Sequence, residues 1–354
     1  MAFVKKVVKD QQKYLRVLNA DIPYSVETNG DEKVFKIGKL SLPYGKDSET
    51  GSLFIKPFGK KITVKPSLKA KHYKMRDALT DEKCRQLLIK ALTPKLGYKP
   101  DLDNPKSFNE KINWMKFNEK SPLITKCCDK YSVKSYVSDI IGEEYVVPVL
   151  GVWDTPDQID FDSLPEKFVI KVNWSSGYNI IIKDKSVMDK EAIKKQLGSW
   201  IKPSANSYYD LFNWGYKDMK PVIFAEKYIE QMDSQLYDYK FYYSKGEFLY
   251  LLITTDRLQG KLTETFYDEN FQPLPFNRGN NPRGNPVPEM PQNLDKMLEL
   301  GRKLAGDFSF VRIDFYETGA KEIYVGEITF YSGGGSVPFN PQKWDFILGE
   351  KIKI

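Results

Sequence analysis

The sequence predicts an α+β fold in which antiparallel strand groups stand beside separate helices. Three observations predict it. Residues 308–341 hold two runs of β-branched and aromatic residues around a polar break at 317–322, which is a hairpin pattern. Residues 33–65 alternate loosely between Gly and Pro breaks, as small antiparallel strand groups do. Ser107 and Glu110 form a capping box that opens a helix.

The C-terminal hairpin carries a charged face. Because strand side chains alternate, Arg312 and Asp314 share the face opposite the apolar residues of their strand. A turn centred on residues 320–321 would place Glu327 directly opposite Asp314. In the same register Thr329 would lie opposite Arg312, so that a cation, two carboxylates and a hydroxyl share one patch of sheet.

Two registers are open for this hairpin. A turn centred on residues 318–319 would keep the same faces but slide the two carboxylates apart. In the first register the two carboxylates and the hydroxyl are hard oxygen donors that suit Mg²⁺. Gly333, Gly334 and Gly335 follow directly, and their backbone is free to approach a ligand closely. A hairpin with a polar outer face and a flexible exit loop would explain the same residues.

The composition indicates a globular, core-forming protein. With 354 residues the chain has room for two domains, or for one large domain with additions. Lys and Arg number 54 against 47 Asp and Glu, and the net charge of +7 suits an anionic ligand such as a nucleotide or an acidic glycan. The charges are interspersed without a basic stripe, so we expect no nucleic-acid partner.

The cysteine and histidine contents limit the chemistry. Cys84, Cys127 and Cys128 form neither a disulfide framework nor a metal-binding spacing, which fits a reducing cytoplasm. His72 is the only histidine, which argues strongly against a histidine-centred triad and rules out a multi-histidine metal site. Proton transfer would therefore fall to carboxylates, Lys, Tyr or the substrate itself.

The N-terminal segment has a helical apolar pattern. We expect no transmembrane segment, because no apolar run is long enough for one, and no signal peptide, because no apolar run precedes a small-residue cleavage site. Over residues 3–18 a helix would align an apolar stripe with basic residues around it. The stripe comprises Val4, Val7, Val8, Leu15 and Leu18. Such a helix would dock onto the protein body or contact an anionic membrane surface peripherally.

Further helices are predicted along the chain. They cover residues 69–92 as one or two helices, 124–141, 191–201 and 294–305. The helix over 124–141 would carry Lys130 and end at Gly142, a C-cap glycine. Residues 98–106 are rich in Pro, Asn and Asp and form the clearest domain boundary in the N-terminal half.

Two strands joined by a small-residue loop form a second candidate site. The buried-strand pattern FVIKVN contains Lys171, NIIIK is the next strand, and residues 174–177 (WSSG) join them. Small residues let loop amides bond phosphate oxygens, while a strand lysine supplies a positioned charge. The loop lacks the glycine spacing of the Walker and dinucleotide motifs. An ordinary hairpin with a Ser-Gly turn would look the same.

Three further strands, at residues 222–229, 237–243 and 248–255, carry charged residues. These are Glu226, Asp238, Lys240 and Arg257. They would line either a nucleotide cleft or the solvated face of an antiparallel sheet. The proline-rich loop 273–291 contains Arg278 and Arg283, and a loop of this length is usually functional or disordered.

Eight segments in this order resemble the ATP-grasp superfamily, specifically its TupA-like branch, which is associated with teichuronopeptide and other surface-polysaccharide synthesis. They are NPKSFNEKINWMK, DKYSVKSYV, LPEKFVIKVNWSSGYNII, VIFAEKYI, DYKFYY, TTDR, FVRIDFY and GEITFYSGGGSVPFNPQKWDFILG. The resemblance runs from about residue 96 to residue 349. It implies two α+β subdomains whose antiparallel sheets grip ATP. The implied domains are an N-terminal α/β region of unknown role at 1–95 and an ATP-grasp domain at 96–354, with a nucleotide-gripping part at about 120–230 and a metal and substrate part at about 231–354.

The resemblance also implies a role for each candidate residue. The ATP-binding residues would be Lys130, Lys171, Ser175, Ser176 and Gly177 at the phosphates, Glu226, Lys227, Tyr228 and Ile229 at the adenine, and Asp238 near the ribose. The Mg²⁺ ligands would be Asp314 and Glu327, with Thr329 where the superfamily commonly has Asn. The catalytic residues would be Arg312, Arg257 and Lys240, and the amides of Gly333, Gly334 and Gly335 would surround the reacting carbonyl of the substrate.

This likeness predicts a cytoplasmic ATP- and Mg²⁺-dependent carboxylate–amine ligase that acts through an acyl phosphate. By analogy with the branch, the carboxylate is a uronic acid of a capsular or other surface glycan, or its precursor, and the amine is an amino acid or an amino alcohol. The alternatives are an ATP-grasp kinase, a glycosyltransferase and a glycan-binding module. We discount the glycosyltransferase, because we find no convincing Asp-x-Asp metal motif at a strand end; residues 101–103 have the letters but lie inside the connector.

Overall fold

A computed structural model describes most of the chain. The described residues are 78–354 without 175, 207, 230–236, 256–261, 286–287 and 319–321, together with seven strands between residues 4 and 63. Two compact units are distinguished, Met1–Ala78 and Leu79–Ile354. Ser175 and Arg257, both predicted site residues, lie outside the described residues, as does His72.

The first unit contains a seven-stranded antiparallel sheet in the order β1 to β7. Its strands are β1 (Val4–Lys9), β2 (Gln12–Val17), β3 (Ala20–Asn29), β4 (Glu32–Ile37), β5 (Leu40–Lys46), β6 (Leu53–Ile55) and β7 (Ile62–Thr63). Strands β4 to β7 confirm the antiparallel strand group predicted over residues 33–65.

The helix predicted over residues 3–18 is wrong. β1 and β2 form an antiparallel hairpin there, with Val4 paired to Val17 and Lys9 paired to Gln12. The segment is rich in β-branched valine, which favours strands, and pairing with the neighbouring β3 adds a further partner. The peripheral membrane contact depended on the helix and loses its support. In the described part of the chain, no helix is both long enough and apolar enough to span a bilayer.

The second unit mixes helices with two main sheets. Its described helices are α1 (Asp81–Leu96), α2 (Phe108–Asn118), α3 (Pro122–Cys128), α4 (Val133–Ile141), α5 (Lys190–Trp200), α6 (Tyr208–Leu211), α7 (Leu294–Ala305) and α8 (Lys343–Lys351). Its described strands are β8 (Val149–Trp153), β9 (Phe168–Val172), β10 (Asn179–Ile182), β11 (Ile223–Lys227), β12 (Asp238–Ser244), β13 (Glu247–Thr255), β14 (Thr263–Tyr267), β15 (Asn277–Arg278), β16 (Val311–Glu317), β17 (Ile323–Thr329) and β18 (Phe339–Asn340).

Both main sheets of this unit are antiparallel, which confirms the α+β prediction. One has four strands in the order β10-β9-β11-β8, and the other has five in the order β14-β13-β12-β16-β17. β9 and β10 form the hairpin predicted around Lys171. β16 and β17 form the predicted C-terminal hairpin, and β15 and β18 make a short separate pair.

The helix predictions are met to different degrees. α7 has the predicted bounds, and α5 begins and ends one residue earlier than expected. The capping box is confirmed, because Ser107 Oγ accepts from the Glu110 amide at 3.1 Å and Glu110 Oε2 accepts from the Ser107 amide at 2.9 Å. Of the helical segment predicted over 69–92, the described part is α1, which runs on to Leu96.

The single helix predicted over residues 124–141 is wrong in its middle. The chain breaks it into α3 and α4, because the Asp129 carboxylate accepts the amides of Tyr131 at 2.8 Å and Ser132 at 2.9 Å. A short acidic side chain that competes for backbone amides in this way interrupts a helix. At the break the Lys130 amide donates to the Asn173 carbonyl at 3.0 Å, which holds Lys130 beside β9. The predicted end at Gly142 is confirmed.

One face of the five-stranded sheet is apolar and packs against α7. Phe241, Ile313 and Phe315 on the strands are fully buried, as are Met297 and Leu304 on the helix. Because strand side chains alternate, this packing sends the intervening residues of β12 and β16 to the opposite face. That opposite face carries the polar residues described next.

Candidate active site

The C-terminal hairpin has the register that faces its carboxylates. Asp314 pairs with Glu327 and Arg312 pairs with Thr329, as the turn centred on residues 320–321 predicts. Nearer the turn, Phe315 pairs with Val325, so one extra residue is accommodated in β17. The predicted register is therefore confirmed, although turn residues 319–321 are not described.

The extra residue is Gly326, and it forms a β-bulge beneath an aromatic ring. A Cβ atom at this position would lie 2.6 Å from Cε2 of Tyr316, so only glycine lets the ring approach this closely. Without the bulge, the pairing at the tip would continue and set Gly326 rather than Glu327 against Asp314. The bulge therefore brings the two carboxylates together.

Polar residues form rows across the five-stranded sheet on the face away from α7. Each row lists residues that are paired across neighbouring strands. The first row runs from β14 to β12 and is Glu264–Thr254–Asp238. The second runs from β14 to β17 and is Phe266–Leu252–Lys240–Asp314–Glu327, and the third runs from β13 to β17 and is Tyr250–Tyr242–Arg312–Thr329. This face and the β9–β10 hairpin of the other sheet enclose a cavity of ≈ 340 Å³. Its charged lining comprises Lys130, Lys171, Lys240, Arg278, Arg312, Asp238, Glu264, Asp314 and Glu327.

The opposed carboxylates are bridged by a single guanidinium nitrogen. Nη2 of Arg312 donates to Oδ2 of Asp314 at 2.7 Å and to Oε1 of Glu327 at 2.6 Å. Nε of Arg312 also donates to Oδ1 of Asp314 at 2.6 Å, so the contact with Asp314 is bidentate. Lys240 adds a second cation at 2.7 Å from Oδ2 of Asp314 and 3.0 Å from Asp238.

These contacts set the protonation states of the cluster. Burial would raise the pKa of Glu327, but the charges of Lys130 and Arg312 hold it far below its usual value. Burial would lower the pKa of Lys240, but the charges of Asp238 and Asp314 raise it above its usual value. At neutral pH Glu327 is therefore a carboxylate and Lys240 an ammonium.

The carboxylate pair fits a divalent cation. One cationic nitrogen already lies within 2.7 Å of an oxygen from each carboxylate, so a single point is within reach of both Asp314 and Glu327. Among the described residues, no three side chains of His, Cys, Asp or Glu converge on one point. Mg²⁺ in proteins is commonly bound by two carboxylates, while water or phosphate oxygens fill its remaining coordination positions.

Thr329 lies beside this pair as a hydrogen-bond donor. Its hydroxyl donates to Oε1 of Glu327 at 2.8 Å, the same oxygen that accepts from Arg312. The hydroxyl therefore orients the Glu327 carboxylate, and its oxygen faces a carboxylate rather than an open position.

The opposite wall of the cavity supplies cations and small residues. Lys130, Lys171, Ser176 and Gly177 line it, and Lys130 Nζ lies 3.5 Å from Oε2 of Glu327. Lysines beside a loop of small residues are the groups that bind phosphate oxygens. The wall therefore brings four of the five residues predicted at the phosphates to one place.

A family model described as TupA-like ATPgrasp matches residues 110–353 of the chain. This match covers more than half of the sequence. The chain belongs to the TupA-like ATP-grasp family. The resemblance seen in the sequence is confirmed, and the two antiparallel sheets of the second unit are those of an ATP-grasp fold. No curated protein matches the chain.

Solved structures of similar shape are distant in sequence. An L-amino acid ligase from Bacillus licheniformis is 11% identical, with 77% of this chain and 62% of that chain covered and a TM-score of 0.41. The D-alanine–D-alanine ligase from Bacillus anthracis, solved with ATP, is 16% identical, with 59% and 57% covered and a TM-score of 0.35. An N5-carboxyaminoimidazole ribonucleotide synthetase, solved with ADP, is 12% identical, with 62% and 50% covered and a TM-score of 0.36. The chain spans 50% to 62% of the length of these proteins.

In this ATP-grasp chain, Glu226 is buried between two lysines. Its carboxylate forms ion pairs with Lys171 and, at 2.6 Å, with Lys134. Burial would raise the pKa of Glu226, but these two charges bring it below its usual value. The carboxylate therefore fixes Lys171 at the cavity wall. Sequence reasoning missed Lys134, although it lies only four residues after Lys130.

The other residues predicted at the adenine lie at the end of β11. Lys227 is exposed, Tyr228 is buried and Ile229 is half-buried. None of these three, nor Glu226, is part of the lining of the ≈ 340 Å³ cavity within the described part of the chain. They adjoin segment 230–236, which is not described.

The triple-glycine segment is tied to α2 through its carbonyls. Lys116 Nζ donates to the Gly334 carbonyl at 2.8 Å, and Asn113 Nδ2 donates to the Gly335 carbonyl at 2.7 Å. The Gly334 amide donates to the Tyr331 carbonyl at 2.8 Å, so it is not directed at a substrate as expected. Of the three glycines, Gly333 lines the cavity.

Two further cavity residues were missed as site residues. Arg278 was noted only as part of the proline-rich loop, and Glu264 lies on β14, in a strand pattern that was not singled out. The length of the loop was the one available signal for Arg278. No sequence signal connected Glu264 to Asp238, because their shared row depends on the order of strands in the sheet.

Proposed function

We propose that the chain is an ATP- and Mg²⁺-dependent carboxylate–amine ligase. The observation that carries the proposal is the pair of opposed carboxylates, Asp314 and Glu327, in one cavity with Lys130 and Lys171. Membership of the TupA-like ATP-grasp family supports it. The ligase part would be the ATP-grasp domain at 96–354, with nucleotide held mainly by 120–230 and metal and substrate by 231–354.

The proposed chemistry has two steps. A carboxylate oxygen of the acid attacks the γ-phosphorus of ATP, the bond to ADP breaks, and an acyl phosphate forms. The amine nitrogen, in its neutral form, then attacks the carbonyl carbon, and a C–N bond forms. Inorganic phosphate leaves with the bridging oxygen and takes up the proton that the nitrogen loses. The first step depends on positioning and charge neutralisation, which lysines and arginine supply without histidine.

Asp314 and Glu327 would hold Mg²⁺, which neutralises phosphate charge when bound. Lys130, Lys171, Ser176 and Gly177 would bind the phosphates, together with Ser175. Glu226 would hold Lys171 in place. The segment 226–229 would contact adenine, and Asp238 would lie near the ribose.

The reacting carbonyl would lie beside Arg312. Its guanidinium and the Gly333 amide would stabilise the oxyanion that forms when the amine attacks, since fixed donors at a developing negative charge lower the barrier. Lys240 would orient the Asp314 carboxylate. Arg257 is proposed as a further cation at the reacting phosphate. Thr329 would orient Glu327.

The proposed substrates follow the family rather than particular residues. The acid would be a uronic acid of a capsular or other surface glycan, or its precursor, and the amine would be an amino acid or an amino alcohol. The reaction would take place in the cytoplasm, where ATP is available.

A hydroxylamine assay tests the proposal. The full chain is incubated with MgCl₂, ATP and glucuronic or galacturonic acid, and ADP and hydroxamate are measured. An acyl phosphate reacts with hydroxylamine, so both products should appear together and only when acid is present. ADP with a phosphorylated alcohol and no hydroxamate would identify a kinase instead. ADP with neither a hydroxamate nor an amide product would overturn the ligase proposal.

A further inference from the structure

The proline-rich loop brings an arginine over the cavity. The loop leaves the edge of β14, where the Leu274 amide donates to the Phe266 carbonyl at 2.8 Å. It returns to the same strand, where the Glu264 amide donates to the Pro282 carbonyl at 2.9 Å. Arg278 lies between these two anchor points and lines the cavity.

The Arg278 side chain is held rigidly. It is 6% exposed, and its guanidinium carbon lies 4.8 Å from the ring centre of Phe108 and 5.2 Å from that of Phe339. It donates to Oγ of Ser332 at 2.8 Å and to the Ser332 carbonyl at 2.9 Å. Stacking between two rings and two hydrogen bonds fix its direction before any ligand arrives.

Arg278 lacks a negative partner. Among the described residues, no carboxylate oxygen comes within 4.0 Å of its guanidinium, and its Nε is buried without a hydrogen-bond acceptor. A buried charge without a close counter-ion is costly, because burial removes its hydration. The other cavity cations differ, since Lys171, Lys240 and Arg312 each form an ion pair. A bound anion would complete the site of Arg278.

Glu264 is a half-buried carboxylate on the same cavity wall. Within the described part of the chain it forms no ion pair closer than 4.0 Å, and it shares a row of the sheet with Thr254 and Asp238. Burial raises the pKa of Glu264, against a hydrogen bond from Asn281 and the charge of Arg278. A bound cationic donor would complete this part of the wall.

We propose that Arg278 and Glu264 form the subsite for the amine co-substrate and that this substrate is an α-amino acid. The carboxylate of the amino acid binds Arg278, and its ammonium binds Glu264. The proposal rests on the ligase function proposed above and narrows its amine to one chemical class. The acid substrate does not need this anion site, because its own carboxylate reacts beside Arg312.

The pair of opposite charges discriminates among the remaining ligands. An amino alcohol or a simple amine satisfies Glu264 but leaves Arg278 without an anion. A nucleotide-linked precursor would bring a diphosphate, which Arg278 attracts but Glu264 repels. A zwitterionic amino acid is the substrate that matches both signs at once.

Binding of amino acids without turnover tests the proposal. The full chain with Mg²⁺ and a non-hydrolysable ATP analogue is titrated calorimetrically with the common α-amino acids, and each binder is compared with its carboxamide and with the amine lacking the carboxyl group. The amino acid should bind roughly 10- to 100-fold more tightly than either analogue, the scale of one charge-assisted contact. Equal binding of all three compounds would overturn the proposal.

Substitutions test whether Arg278 and Glu264 cause the preference for amino acids over their analogues. In Arg278→Met the ratio of the affinity for an amino acid to that for its analogue without the carboxylate should fall to near one, and in Arg278→Lys part of this ratio should remain. Glu264→Gln should weaken the binding of amino acids and of amines by the same factor. Arg302→Met, which removes an exposed arginine from α7, is the matched control and should keep the wild-type preference. If Arg278→Met does not fold, Arg278→Lys and Glu264→Gln carry the test. Wild-type preference in both would overturn the assignment.

The two proposals fail in different ways. If no carboxylic acid yields hydroxamate or amide with ATP, the ligase function fails whatever the chain binds. If hydroxamate forms but amines are used as readily as amino acids, the ligase function stands and the amino-acid subsite fails.

Discussion

Asp314 on β16 lies directly opposite Glu327 on β17, and one nitrogen of Arg312 contacts both carboxylates. The bulge at Gly326 produces this opposition, since it shifts the pairing by one residue just before Glu327. The two carboxylate ligands of a metal ion are therefore already opposed before the ion binds. The Arg312 guanidinium would have to move away from them for the ion to bind.

Removing either carboxylate should abolish nucleotide turnover. Asp314→Asn and Glu327→Gln each remove a charge from the proposed Mg²⁺ site. We expect ADP release to fall by at least about 100-fold, the scale of losing one preorganised electrostatic group. Asp103→Asn, at an exposed aspartate paired with Arg85, is the matched control and should retain activity. Wild-type turnover in either site variant would refute the metal role.

The Glu226 carboxylate should stabilise the fold in a pH-dependent manner. Glu226→Gln leaves Lys134 and Lys171 buried without their shared counter-ion, which should cost about 3–5 kcal/mol. Because the pKa of Glu226 is lowered by folding, its contribution is complete above the unfolded value of 4.5 and is lost as the pH falls through the folded pKa.

Urea unfolding of both proteins between pH 3 and pH 7 measures this difference. The gap in unfolding free energy between wild type and Glu226→Gln should be largest near neutral pH and shrink in acid. A constant gap across this range would show that the charge of Glu226 does not stabilise the fold.

Lys116 should make stability rise with pH. Burial brings its pKa well below the usual value of 10.5, and the charge of Lys95 acts in the same direction. The unfolded chain therefore binds the proton more tightly than the folded one, so folding gains about 1.4 kcal/mol for each pH unit between the folded pKa and 10.5. Lys116→Met removes this gain. The free energies of unfolding of wild type and Lys116→Met, measured at pH 7, 8.5 and 10, should diverge as the pH rises. An equal dependence on pH in both proteins would contradict a lowered pKa of Lys116 in the folded state.

Two helical glycines should respond oppositely to alanine. In α7 a Cβ at Gly301 would lie 2.7 Å from Cζ of Tyr243, so Gly301→Ala should destabilise the protein by about 1–3 kcal/mol. In α5 the nearest atom to a Cβ at Gly198 is 3.8 Å away, so Gly198→Ala should stabilise it by about 0.5–1 kcal/mol through helix propensity. Thermal unfolding distinguishes the two, and shifts of equal sign would contradict the packing argument.

The sequence allowed the local part of the site to be predicted. Strand alternation placed Arg312 and Asp314 on one face, and one of the two registers left open by the sequence paired Asp314 with Glu327; in the structure this pairing also requires the bulge at Gly326. The capping box follows from two residues three positions apart. Both depend on neighbours in the chain. The family resemblance, carried by eight ordered segments, supplied the fold that holds them.

Contacts between segments that are distant in the sequence could not be predicted from local sequence patterns. The sequence pattern around Lys116 indicates an ordinary helical lysine, yet its Nζ donates a hydrogen bond to the carbonyl of Gly334, more than two hundred positions later. The break between α3 and α4 depends on Asp129, whose carboxylate also accepts from Asn173 at 2.6 Å. The N-terminal helix failed because valine-rich segments satisfy a helical stripe and a strand pattern equally, and pairing decided between them.

The attachment of the triple-glycine segment to α2 limits how this protein can be recombined. Two consecutive carbonyls of the segment depend on Asn113 and Lys116, which belong to a single short helix. A chimera that takes the C-terminal third from one homologue and the helix from another would have to match these donors and acceptors across its junction. The two stretches form one exchangeable module, although most of the domain separates them along the chain.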